Sequence, residues 1–96
     1  MEYQDEARRW VDALPDLDPA ERDRLIREYA AALERYFQDA IGAEVALHGP
    51  ALAEEWARLR DYGGQYLPIW LRLNLPGYFA LRAEIFARAR LAILGL

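Results

Sequence analysis

The sequence contains no cysteine, serine, threonine or lysine. Without cysteine there is no disulfide framework, no thiol redox chemistry, no thiolate nucleophile and no zinc site built on sulfur. Without Ser or Thr, acyl transfer has no side-chain hydroxyl of the usual kind to pass through. The absence of Lys removes Schiff-base chemistry, the amine that anchors pyridoxal phosphate and the lysine of a phosphate-binding loop. These exclusions are the firmest functional statements the residues make, and no catalytic residue is assigned.

Long apolar runs are missing as well. The longest, Tyr66 to Leu81, is interrupted by Pro68, Arg72, Asn74 and Pro76, so no segment is fitted to span a bilayer and no membrane association is expected. Met1-Glu2-Tyr3-Gln4-Asp5-Glu6 is acidic and polar where a secretory signal is basic and apolar, and a cytoplasmic location is therefore expected.

What is present fits one domain over residues 1–96: 54% hydrophobic residues, twelve aromatic rings, and a net charge of -4 in which all twelve basic residues are arginine. That length can bury a core without disulfides or a structural metal. Helix starts and turns, normally supplied by Ser and Thr, fall to Asp, Gly and Pro in segments such as Asp18-Pro19-Ala20-Glu21 and Gly49-Pro50-Ala51-Leu52. This restricted alphabet, with Ala, Leu, Glu and Arg filling the helices, resembles computationally designed (de novo) helical-bundle proteins. No motif of a natural family is recognised. A natural protein from a GC-rich genome, in which Arg displaces Lys, accounts for the missing lysine better than for the missing Ser and Thr, and stays open.

The fold class read from periodicity is all-α, a compact bundle of four to five helices over about 3–13, 19–41 or 19–48, 50–62, 67–74 and 78–94. Tyr3, Ala7, Trp10, Val11 and Leu14 form the inward face of the first. Asp18 caps the second, Pro19 suits its first turn, and Glu21 stands where its carboxylate can reach back to the Asp18 amide. The stripe Leu25, Ile26, Tyr29, Leu33, Tyr36, Phe37, Ala40 and Ile41 continues to Val45 if Gly42 does not end the helix. Leu71-Arg72-Leu73-Asn74-Leu75 alternates like a strand, yet a lone strand has no partner and helix is preferred. In the last helix apolar residues occupy most of the circumference, which predicts that it is the central one.

Six aromatics, Trp56, Tyr62, Tyr66, Trp70, Tyr78 and Phe79, fall close together and are the candidate lining of a ligand pocket or partner surface, against the plainer reading that they fill the core. His48 is the only imidazole. It suits an axial haem ligand or a general base on one reading and a helix-end residue before Gly49-Pro50 on the other. Glu44 shares its face, but two ligands do not make a metal site. The last helix is basic through Arg82, Arg88 and Arg90, with Glu84 spaced to pair with Arg88, and the chain is net acidic, so no nucleic-acid binding is expected.

The leading expectation is a designed or design-like binding scaffold, monomeric or a small homo-oligomer, that takes a small-molecule ligand or a protein partner and needs no cofactor. The alternatives are a haem-binding helical protein using His48, and a natural small helical adaptor or inhibitor acting by protein–protein interaction.

Overall fold

A computed structural model of the chain describes residues 3–62 and 66–95, with the side chains of 61–62 and 66–68 excepted. Over the described residues it is an all-α bundle of five helices: α1 Tyr3–Asp12, α2 Pro19–Leu47, α3 Pro50–Tyr62, α4 Tyr66–Asn74 and α5 Tyr78–Leu94. No helix among the described residues is long and apolar enough to cross a membrane. The molecule measures 48 × 25 × 17 Å. Its length follows from α2, whose 29 residues extend about 43 Å at the helical rise.

The start of α2 is built as its residues dictate. Asp18 has extended backbone (φ −73°, ψ 161°), and its carboxylate accepts the Glu21 amide at 2.9 Å, satisfying one of the helix's orphan donors. The reciprocal half of the capping box does not form, because the Glu21 carboxylate turns towards Arg24 at 3.9 Å instead. Asp18→Ala is expected to cost about 1 kcal/mol in thermal or denaturant unfolding. An ion pair between Arg22 and Asp12 ties this first turn back to the end of α1.

Gly42 does not end α2. The helix runs on to Leu47 because Ile41 and Val45 remain fully buried and prolong the stripe, an apolar gain that outweighs the ~1 kcal/mol propensity cost of one glycine. Termination comes at His48 and Gly49, whose φ of 117° lies in the left-handed region open to glycine. In α4 the strand-like alternation resolves as a helix: Leu71 and Leu75 are buried one turn apart while Leu73 between them faces water. Asn74 closes that helix by donating its side-chain amide to the Trp70 carbonyl at 2.9 Å.

The core runs through Ala7, Val11, Leu33, Phe37, Ile41, Leu71 and Ile85. Its central element is α2, which packs against α1, α3 and α5. This corrects the expectation that α5 is central. Tyr78, Ile85, Phe86 and Ala89 of α5 are buried, but Phe79, Leu91 and Ala92 are exposed, so apolar residues all round a helix here mean an inner face plus an uncovered outer one. Around Phe37 three helices meet by their rings: Tyr3 lies 5.9 Å away edge-on and Phe86 5.4 Å away edge-on, the arrangement that ring quadrupoles favour.

Candidate functional site

The aromatic candidates divide between core and surface. Trp56 on α3 and Trp70 on α4 are buried with ring centroids 6.2 Å apart, and the Trp56 indole lies against α2 at Gly42, where an added Cβ would stand 3.2 Å from its Nε1. Trp56 thus joins α3 to α2, and Trp70 joins α4 to α3. Tyr78 is buried as well, at the start of α5. Its neighbour Phe79, with ring centroids 5.4 Å apart, points outward and is 66% exposed. The side chains of Tyr62 and Tyr66 lie outside the described residues. Of the described candidates, then, three are core and only Phe79 is available for contact.

Two exposed residues that the aromatic pattern did not single out accompany it. Leu73 is 81% exposed and Ile69 53%, and their four-residue spacing puts them on one face of α4. Leu73 and Phe79 are among the residues lining an open concavity of about 320 Å³ at the α4–α5 turn, together with Leu75, Pro76 and Gly77. Gly77 takes a left-handed conformation (φ 69°) that turns the chain from one helix into the next. The Arg72 guanidinium lies over the Phe79 ring, 5.6 Å from its centroid, a cation–π contact that holds the ring at the rim. The signal for Leu73 was present in the chain: with Leu71 and Leu75 inward on a helix, the residue between them must face out.

His48 is exposed at the carboxyl end of α2, its amide donating to the Val45 carbonyl at 3.0 Å. Beside it Leu47 is 80% exposed, and the concavity at the α4–α5 turn is lined by other residues. Among the described residues no group of three or more His, Asp or Glu side chains gathers as metal ligands do.

A titratable group that the structure perturbs lies elsewhere. Burial pushes the Tyr3 phenol well above its ordinary 10.0, helped by the Glu34 carboxylate and Tyr78 and opposed by Arg82. Because the folded phenol resists ionisation that the unfolded one undergoes, this contribution to stability is intact below pH about 10 and is lost as pH climbs above it. Thermal unfolding at about pH 9 and about pH 11 is expected to show a fall in midpoint, and Tyr3→Phe to lessen that fall.

Charge is distributed unevenly over the bundle. Every ion pair between described residues lies in α1, α2 or between them. Helices α4 and α5 carry four arginines and one acidic residue, Glu84, and the Glu84–Arg88 pairing expected from their spacing does not form. No protein-family model matches the chain, and neither the curated proteins nor the solved structures searched hold a significant match.

Proposed function

We propose that this chain is a binding module of designed or design-like character, which docks a protein partner through the apolar rim of the α4–α5 turn and performs no chemistry of its own. The observation that carries the reading is that two exposed large apolar side chains, Leu73 and Phe79, line one concavity. Scattered surface leucines need no explanation, but two large apolar side chains framing a recess are what interface anchors look like. A recess this open holds a side chain of a partner better than it encloses a small molecule, which normally has most of its surface buried.

The composition supports the scaffold part of the reading, since capping, helix-filling residues and apolar stripe all favour the same helices. A natural adaptor or inhibitor would use the same surface in the same way.

The test is selection of binders to the whole protein from a random library of helical peptides. Most binders are expected to lose affinity when Leu73→Glu or Phe79→Glu is introduced, with circular dichroism and unfolding midpoint unchanged because both side chains are exposed. Binders that ignore both changes, mapping instead to Leu47 or Leu91, would overturn the assignment.

A further inference from the structure

We infer that α3 and α4 form a hinged arm, which opens as one unit under native conditions while α1, α2 and α5 stay packed. The inference is independent of the docking role just proposed.

Burial is divided along that line. Within ten residues α1 places Tyr3, Ala7, Trp10 and Val11 in the core, and α2 and α5 add Leu33, Phe37, Ile41, Ile85 and Phe86 among others. Among its described side chains α3 buries only Trp56, with Leu52 and Leu59 half-buried, and α4 with the residue after it contributes Trp70, Leu71 and Leu75. The rings of Tyr3, Phe37 and Phe86 lock α1, α2 and α5 to one another. By contrast α3 rests on α2 through Trp56 at Gly42, and α4 packs on α3 and α5. No ion pair between described residues involves α3 or α4. Elements with few buried apolar contacts are the ones that open below the global unfolding free energy.

Both ends of the arm are jointed. Gly49 (φ 117°) and Gly77 (φ 69°) hold left-handed backbone that glycine adopts without strain. Apart from chain neighbours, no heavy atom stands within 4 Å of where a Cβ would sit at either position, so the chain can rotate there without meeting packed side chains. Between the joints, the two helices are coupled by the Trp56–Trp70 pair at 6.2 Å; moving one helix alone would bare both rings.

The closed arm also carries a cost that opening relieves. The Trp70 indole N–H is buried and has no hydrogen-bond acceptor, and a donor sealed from water forfeits a bond that it regains once exposed. Leu73 belongs to the arm while Phe79 lies beyond Gly77, so the concavity they line is complete only while the arm is closed.

Hydrogen exchange of the full chain in low urea, read by mass spectrometry, tests the inference. Relative to intrinsic rates, amides 53–60 of α3 and 71–75 of α4 are expected to exchange at least about tenfold faster than those around Leu33, Phe37 and Ile85. The two groups should share one urea slope, above zero and below that of global unfolding, because they expose one defined surface together. Trp56→Phe should speed both groups by a common factor, on the order of tenfold, and leave amides around Leu33, Phe37 and Ile85 within about twofold. Trp70→Phe should speed them less, because the change that loosens the ring pair also removes the stranded donor. Equal protection in all five helices, different slopes or no slope for α3 and α4, or Trp56→Phe speeding every helix alike would each overturn the arm. Trp70→Phe speeding exchange as much as Trp56→Phe would overturn the part given to the indole N–H.

Discussion

Phe37→Ala is expected to destabilise the protein by about 3–5 kcal/mol, read as a lower urea midpoint with an unchanged slope. The ring is completely buried and stands where α1, α2 and α5 meet, with Tyr3 at 5.9 Å and Phe86 at 5.4 Å. Removing it deletes the transfer energy of a phenyl group and leaves a cavity that three helices cannot close together, since each is held in place by further buried contacts. The comparison is Phe79→Ala, which removes the same atoms from a mostly exposed site and should change stability by no more than about 0.5 kcal/mol. A small effect at Phe37, or a large one at Phe79, would mean that the bundle is not assembled around this ring cluster.

Gly42→Leu should cost several kcal/mol, at or above the upper end of the ~1–3 kcal/mol usual for overpacking, and should loosen α3 from α2. Even a bare Cβ at this position meets the Trp56 indole at 3.2 Å from Nε1 and 3.9 Å from Cε2, and a leucine has to occupy the space the ring fills. Trp56 in turn packs on Trp70, so displacing one ring exposes two, and tryptophan emission should shift to the red. Trp10 offers an internal control: it is buried between α1 and α2, with Nε1 donating to Glu6 at 3.2 Å. Gly42→Ala sets two small effects against each other, a helix-propensity gain of about 1 kcal/mol against a tight contact, and should fall within about 1 kcal/mol of the parent. A Gly42→Leu variant with parental stability and parental fluorescence would show that the indole does not rest on this glycine.

The extents of the helices were legible because the chain marks them with local chemistry. Asp18-Pro19, Gly49-Pro50 and Pro76-Gly77 each forbid or favour particular backbone angles regardless of what packs nearby. The inward faces of α1 and α2 were legible too, since charged residues leave only one apolar stripe on each. The candidate site was much less so. Tyr78 and Phe79 are adjacent, alike in size and apolarity, and part of the same aromatic stretch, yet one is core and the other surface. Trp56 and Trp70 carry the features of pocket linings and serve as packing.

Sequence alone determined that this chain is helical, where most of its helices begin and end, and which reactions it lacks the atoms to perform, because all three depend on properties each residue carries by itself or shares with neighbours a turn away. Which helix lies at the centre, whether Gly42 is a break or a seat for Trp56, and which apolar side chains are left uncovered at the α4–α5 turn were decided only by tertiary packing. Those outcomes depend on how the faces of separate helices are matched across space, and a helix with apolar residues on every side does not say which of them its neighbours will cover.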